Sequence, residues 1–221
     1  MSTAAPLAAS REIPRRLAPP LVLGGVSWRS YCEMRDDPCN ERLRLTYDAS
    51  SRRLGIAVPG KRHENVAELL GYLIATFGRM RRLNIIPVGS TTWRRVTVGG
   101  AEGDKAFHVG RPAAELNLDG NVPDLAGSDL PPDLVVEVDV TSSGVEKLPI
   151  YAGLGVPEVW VWTDDAIVVH RLTDDGYETV DGSVELPGFP LAFAAELIAG
   201  RADAATYELE EAFAERLRTD G

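Results

Sequence analysis

The strand-like run "PPDLVVEVDV" restricts the fold of this chain more than any other segment, because acids interrupt an otherwise apolar sequence. Alternate side chains of a β-strand point to opposite faces. Asp133, Glu137 and Asp139 therefore share one face. The opposite face carries Leu134, Val136, Val138 and Val140. The pattern predicts a strand with one face in the core and three carboxylates on the other.

Two interpretations of this acidic face are open. On the exposed side of a half-buried sheet, carboxylates are simply solvated. Alternatively, clustered carboxylates bind a hard divalent cation, which takes oxygen ligands and offsets their mutual repulsion. An acid on a neighbouring strand would favour the second interpretation, and Asp104, at the start of "DKAFHV", is the best candidate. Asp104 follows the glycine-rich bend "GGAEG" and is equally compatible with a turn.

A lysine follows the acidic strand at the beginning of a predicted helix. Lys147, Ile150, Tyr151 and Leu154 are spaced i, i+3, i+4 and i+7, so they share one apolar stripe. Such a stripe packs on a sheet near the strand end that carries Glu137. The Lys147 ammonium either extends to solvent along the stripe or reaches the carboxylate face, and both alternatives are open.

The other segments alternate between strand and helix patterns, which predicts an α/β or α+β fold with a mixed central β-sheet flanked by helices. An N-terminal strand hairpin, "ERLRLTYD" with "LGIAV", precedes a long helix over about 62–82. That helix has one apolar stripe, made of Val66, Leu69, Leu70, Leu73, Phe77 and Met80. Further strands are predicted at "NIIPVGS", "WRRVTV", "VPEVWVWT" and "AIVVHRLTDDGYETV". We expect a flexible tail over 1–20, one domain over 21–190 and a C-terminal helical extension over 191–221.

Composition narrows the function classes. The formal net charge of −10 disfavours non-specific nucleic-acid binding, which depends on Lys and Arg displacing counterions, although "GRMRRL" and "TTWRRV" are locally basic. The two cysteines do not indicate a disulfide framework, and no zinc-type spacing follows them. The first 20 residues lack the continuous apolar region of a signal peptide. We therefore expect a cytoplasmic protein that does not associate with membranes.

The chain resembles the large bacterial family of restriction-endonuclease-like proteins called the Uma group, in the PD-(D/E)XK nuclease superfamily. The resemblance extends from about Trp28 to Gly188. It rests on "LRLTYD", "RHEN", "GSTTWRR", "EGDKAFHV" and above all "PPDLVVEVDVTSSGVEKLPIYAGLGVPEVW". The domain over 21–190 is accordingly expected to be nuclease-like.

The resemblance implies a Mg²⁺ (or Mn²⁺) site at the edge of the sheet and hydrolysis of DNA phosphodiester bonds. Asp104 and Glu137 correspond to the metal-binding acids, with the Val138 carbonyl as a further ligand. The superfamily lysine should follow Glu137 by two residues, where this chain has Asp139, so Lys147 is the natural donor. Three further roles are implied. Glu64 is a helical acid at the site, and Asp139 or Glu64 completes the metal shell or positions Lys147. Asp133 is an auxiliary acid at the strand entrance. His63 is expected to be structural.

Two alternatives to a DNA endonuclease are open. The missing lysine at position 139 and the acidic charge favour a catalytically inactive module with a binding or regulatory role. The substrate could also be structured or single-stranded nucleic acid instead of long duplex DNA. A homodimer formed through the apolar surface of 191–217 is a further expectation.

Overall fold

The computed structural model describes residues 21–118, 123, 125, 127, 129–138, 145–200 and 205–219. The expected tail over 1–20 and Asp139 lie outside these residues. The helices are α1 (Trp28–Asp36), α2 (Lys61–Arg81), α3 (Leu148–Leu154), α4 (Leu191–Ala199) and α5 (Thr206–Thr219). The first strands are β1 (Leu21–Leu23), β2 (Arg44–Asp48), β3 (Arg53–Ala57), β4 (Ile85–Gly89), β5 (Thr92–Arg95) and β6 (Gly99–Glu102). They are followed by β7 (Lys105–Val109), β8 (Leu134–Val138), β9 (Glu158–Thr163), β10 (Ala166–Thr173) and β11 (Gly176–Val180).

The strands form two sheets instead of one. The five-stranded sheet has the order β1-β3-β2-β6-β5, and the six-stranded sheet has the order β11-β10-β9-β8-β7-β4. In the six-stranded sheet β8 and β9 are parallel, while β7 and β8 are antiparallel, so this sheet is mixed. The predicted mixed α+β architecture is confirmed. Its division into two sheets was not predicted.

Strand β8 lies in the middle of the six-stranded sheet and is buried on both faces. Leu134, Val136 and Val138 pack in a core with α2, α4 and α5, whereas Val135 packs with α3 on the other face. Helix α3 is the crossover between the parallel strands β8 and β9, because parallel neighbours cannot be joined by a tight hairpin. Asp133 and Glu137, the acids of this face that the structure describes, are therefore covered by protein, and for them the interpretation as a solvated face is wrong.

The long helix α2 has the predicted stripe, and the C-terminal helices cover it. Its stripe residues Leu70, Leu73 and Phe77 are at most 2% exposed. In the same core lie Ala194, Ala195, Ile198, Leu209, Phe213 and Leu217 of α4 and α5. These six apolar side chains of the C-terminal segment thus pack within the chain, and the homodimer expected there stays a prediction. None of the described helices has the length and apolar character needed to cross a bilayer.

Strand β6 occupies the segment predicted as a glycine-rich bend. Glycine is depleted in strands, which explains the wrong prediction, and here close packing requires it. An ideal Cβ on Gly99, whose φ is +128°, would lie 2.0 Å from the Tyr47 carbonyl oxygen. On Gly100 it would lie 2.2 Å from the hydroxyl of Tyr31, which stacks on Tyr47. The glycines let β6 lie directly against the Tyr31–Tyr47 pair.

The chain passes from one sheet to the other between β6 and β7, across Gly103 and Asp104. A Cβ on Gly103 would lie only 2.6 Å from Cγ1 of Val135, so glycine is needed for this close approach. The backbone N–H of Asp104 donates to the Val136 carbonyl at 3.0 Å. Asp104 is therefore fixed where the two sheets meet.

Candidate active site

Asp104 and Glu137 lie at the same end of the neighbouring antiparallel strands β7 and β8. Asp104 directly precedes β7, and its backbone N–H donates to the carbonyl of Val136, the residue before Glu137. The carboxylates are close enough for the charge of Asp104 to raise the pKa of Glu137. The two residues are 5% and 8% exposed. The structure thus brings together the two acids that the sequence analysis paired.

The carboxylate of Asp104 has two donors. Its Oδ2 accepts a hydrogen bond from the Val138 backbone N–H at 2.7 Å and lies 3.1 Å from Nε2 of His63. Burial raises the pKa of Asp104, but the contacts with His63, Lys147 and Val138 outweigh it and hold the pKa below its usual range. Asp104 is therefore an ionised, oriented carboxylate.

The carboxylate of Glu137 is contacted on both oxygens. Lys147 Nζ lies 2.7 Å from Oε2, and the Tyr151 hydroxyl donates to Oε1. Burial raises the pKa of Glu137 to about 7, against the lowering effect of the Lys147 ammonium. A buried charge without a partner costs several kcal/mol, so Lys147 offsets much of the cost of keeping Glu137 ionised.

Lys147 immediately precedes α3, and its side chain turns into the protein. The side chain is 19% exposed, and Nζ also donates to the Glu102 carbonyl at 3.1 Å. Burial lowers the pKa of Lys147, but the carboxylates of Glu137 and Asp104 outweigh it and raise the pKa above its usual value. The sequence left open whether the Lys147 ammonium extends to solvent or reaches the carboxylates. In the structure it contacts the carboxylate of Glu137.

Glu102 is a feature of this site that the sequence analysis did not single out. It is 3% exposed, and its carboxylate lies 2.9 Å from Arg35 and 3.3 Å from Arg44. Thr92 donates to it at 2.5 Å. These donors compensate a buried charge and fix β6, whose Glu102 carbonyl holds Lys147. The available signal was the acid in "EGD", two positions before Asp104.

Glu64 lies at the rim of the site and is 46% exposed. Its carboxylate is 3.7 Å from Arg44 and 3.6 Å from Nδ1 of His63. His63, which precedes it on α2, lies between Glu64 and Asp104. The described contacts thus connect Glu64 to the paired acids through His63.

Asp133 is separated from this cluster by the length of β8. Both of its oxygens contact Arg111, at distances of 2.6 to 3.1 Å, and Oδ2 accepts from the Val109 N–H at 2.9 Å. Burial raises the pKa of Asp133, but the neighbouring His108, Arg111 and Val109 N–H lower it to about 2. Asp133 thus lies at the strand entrance, as expected, where it anchors that end of β8 through Arg111 and has no described contact with Asp104 or Glu137.

A polar cleft of about 470 Å³ adjoins the site. Arg44 and Glu102 belong to its wall, so it opens beside the residues that hold Lys147. The remaining lining residues are Arg35, Asp36, Glu41, Ser90, Thr91 and Thr92.

The chemistry of the donors suits Mg²⁺ better than zinc. Asp104 and Glu137 offer hard carboxylate oxygens, and Mg²⁺ commonly takes only one or two protein carboxylates while keeping several waters. Zinc sites use three or four His, Cys or carboxylate ligands. Within the described residues, no group of three or more His, Cys, Asp or Glu side chains is arranged to hold a metal ion. The pair therefore fits a cation that relies on water and substrate for its other ligands.

Comparison with known protein families identifies the family to which this chain belongs. The model of the Uma2 family, described as "Putative restriction endonuclease", matches residues 30–198. The chain belongs to the Uma2 family. The match contains Asp104, Glu137 and Lys147, and it confirms the resemblance seen in the sequence. Membership of Uma2 supports a nuclease, a class of enzyme that usually requires a divalent metal ion.

Among the solved structures similar to this Uma2 chain is one with 11% sequence identity and a TM-score of 0.48. It is a crystal structure from Anabaena variabilis, described as "a putative nuclease belonging to DUF820". The similarity covers 85% of this chain and 99% of that chain. No curated protein matches this chain.

Proposed function

We propose that this protein is a metal-dependent endonuclease that hydrolyses phosphodiester bonds, with DNA as its substrate and Mg²⁺ as its cofactor. Asp104, Glu137 and the Val138 carbonyl hold the ion. The observation that carries the proposal is the placement of the Lys147 ammonium 2.7 Å from Glu137, beside the neighbouring acid Asp104. Two acids and a lysine in one buried cluster match the composition of a phosphodiester hydrolysis site.

Each side chain has a distinct task in this proposal. A bound Mg²⁺ supplies Lewis-acid activation of water and stabilises charge on the phosphate. Lys147 keeps its proton, because the neighbouring carboxylates raise its pKa, and it donates to the attacking water or to a phosphate oxygen. His63 orients Asp104 through their 3.1 Å contact. Asp139 would complete the metal shell or position Lys147, and Glu64 would act through its 3.6 Å contact with His63.

The polar cleft offers a path for the nucleic acid next to the site. Arg35 and Arg44 contact the carboxylate of Glu102, and Asp36 and Glu41 also line the cleft, so its wall carries no excess of positive charge. Guanidinium groups suit phosphate oxygens, which they contact in a bidentate manner. A phosphate in the cleft would therefore depend on direct contacts with these two arginines and not on a general attraction of charge, in keeping with the net charge of −10.

A plasmid nicking assay tests the proposal with a matched pair of lysine variants. Lys147→Ala is expected to lower the Mg²⁺-dependent nicking rate by about 100-fold or more, the usual effect of losing a preorganised charged donor. Lys105→Ala is the control, because Lys105 adjoins Asp104 in sequence but pairs with Glu68 at the surface. The control should nick at the wild-type rate, and EDTA should abolish all nicking. Equal rates for Lys147→Ala and the wild type would contradict the assigned lysine role.

The alternative of an inactive binding module is favoured by the strongly acidic charge and by the missing lysine at position 139. Calorimetry with Mg²⁺ or Mn²⁺, comparing the wild type with Glu137→Ala, separates the two functions. Metal uptake by the wild type, without cleavage of duplex, structured or single-stranded nucleic acid, would favour the module. Absence of metal uptake by both proteins would contradict the enzyme.

A further inference from the structure

Tyr151 contacts the candidate site, although the sequence marks it only as part of an apolar helix stripe. It is fully buried, and its hydroxyl donates to Oε1 of Glu137. Lys147 contacts the other oxygen, Oε2. The two donors are four residues apart, and the hydrogen bond from the Tyr151 N–H to the Lys147 carbonyl, 2.9 Å long, fixes their spacing. One helical turn therefore places a donor on each oxygen of the same carboxylate.

Burial alone does not explain this choice of partner. A buried tyrosine hydroxyl needs an acceptor, and a backbone carbonyl is sufficient for that purpose. Tyr177, which packs in the same hydrophobic cluster, donates to the Val156 carbonyl at 2.6 Å. Tyr151 instead bonds to the one carboxylate that also contacts Lys147. Its position near Gly103, where an added Cβ would lie 3.6 Å from the hydroxyl, places it under the junction of the two sheets.

The two donors differ in what they can do when a cation binds. The Lys147 ammonium repels a cation and competes with it for Oε2, whereas the tyrosine hydroxyl is neutral. A carboxylate has about four lone-pair sites, so Oε1 can keep its hydrogen bond while Glu137 serves as a ligand. Hydrogen bonds of this kind fix the orientation of ligating carboxylates and support metal affinity.

We propose that Tyr151 is a positioning residue that holds the Glu137 carboxylate in the orientation required for divalent-cation binding. This inference rests on the proposed function, because it assumes that Glu137 is a metal ligand. Tyr151 touches neither the cation nor the substrate. It acts by fixing the rotation of the carboxylate through Oε1 and leaving Oε2 to Lys147 and the ion.

Titration calorimetry with Mn²⁺ tests this role on the wild type, Tyr151→Phe and Tyr177→Phe. Each variant removes one tyrosine hydroxyl beside α3, fully buried in Tyr151 and partly buried in Tyr177, and only Tyr151→Phe removes the bond to Glu137. Tyr151→Phe is expected to weaken Mn²⁺ binding by about 10- to 100-fold, the usual effect of losing a partner of a metal ligand. Tyr177→Phe should bind Mn²⁺ as the wild type does. In cleavage assays Tyr151→Phe should lower kcat and leave the KM for nucleic acid unchanged.

The outcomes separate the two proposals. Wild-type protein that takes up no Mn²⁺ would overturn the proposed function, and the Tyr151 role with it. Two results would overturn the Tyr151 role alone, provided that the wild type binds Mn²⁺. One is undiminished Mn²⁺ binding by Tyr151→Phe, and the other is an equal loss of Mn²⁺ affinity in both tyrosine variants. A double-mutant cycle with Glu137→Gln gives a second readout of the same role. If Tyr151 acts through Glu137, its effect on Mn²⁺ affinity should disappear in the Gln background, and additive effects would overturn the role.

Discussion

Nζ of Lys147 lies 2.7 Å from Oε2 of Glu137, although the two residues are ten positions apart in the sequence and belong to different structural elements. The contact forms because β8 ends at the sheet edge where α3 begins its crossover. The Glu102 carbonyl, in the other sheet, is the second partner of the same ammonium. Lys147 thus joins the two sheets at the candidate site, so that disturbing either sheet should displace it.

Glu102→Gln should therefore affect both stability and activity. Arg35 and Arg44, which are 15% and 19% exposed, would lose their shared counter-charge. We expect the free energy of unfolding to fall by about 2 kcal/mol, less than for a fully buried pair because both arginines reach solvent. Glu33→Gln is the control, since Glu33 pairs with Arg29 on the surface. Urea unfolding measures the effect, and equal midpoints for the two variants would contradict the structural role of Glu102.

Asp133→Asn should destabilise the protein in a pH-dependent manner. The pKa of Asp133 is lowered to about 2 in the folded protein, so its ionised form stabilises the fold above the unfolded-state pKa near 4. That stability is lost as the pH falls through about 2. We expect a loss of about 1–2 kcal/mol at pH 7, after allowing for the solvent exposure of Arg111.

The measurement for Asp133 is urea unfolding of both proteins between pH 7 and pH 2. The difference in unfolding free energy should be constant down to about pH 5 and shrink below pH 4. Mn²⁺ affinity at pH 7 should not change, because Asp133 contacts Arg111 at the far end of β8. A loss of Mn²⁺ affinity would contradict the separation of Asp133 from the metal site.

Helix α2 and strand β8 could be predicted from the sequence, because the local periodicity of apolar residues determines both elements. The α2 stripe and the alternation of β8 follow from helix and strand periodicity, and both agree with the buried residues. Strand β6 could not be predicted in this way, because Gly99 and Gly100 carry no strand signal. Their presence there is explained only by the close approach of Tyr31 and Tyr47.

The same limit applies to the candidate site. Asp104, Glu137 and Lys147 were singled out because charged residues in apolar patterns are unusual, and a family resemblance supported their pairing. Glu102 and Tyr151 were missed as site residues, since an acid beside a glycine and a tyrosine on an apolar stripe are both ordinary locally. Their role depends on contacts between distant segments, which periodicity does not encode.

Gly103→Ala tests the junction between the sheets. The new methyl group would lie 2.6 Å from Cγ1 of Val135, in a strand that cannot move freely. We expect a loss of about 1–3 kcal/mol from overpacking, together with reduced nicking because Asp104 and the Glu102 carbonyl would shift. Gly182→Ala is the control, because nothing lies within 4 Å of a Cβ there. Wild-type stability and activity for Gly103→Ala would show that the junction tolerates displacement.

The most direct test of the account is a crystal structure with Mn²⁺, analysed by anomalous scattering at the manganese edge. The account predicts a peak between Asp104 and Glu137, with a carboxylate oxygen of each residue about 2.2 Å away, as expected for oxygen ligands of such a cation. Lys147 should remain beside the peak through its bond to the Glu102 carbonyl. Bound manganese at another position, with the two carboxylates still engaged only by protein donors, would contradict the central claim.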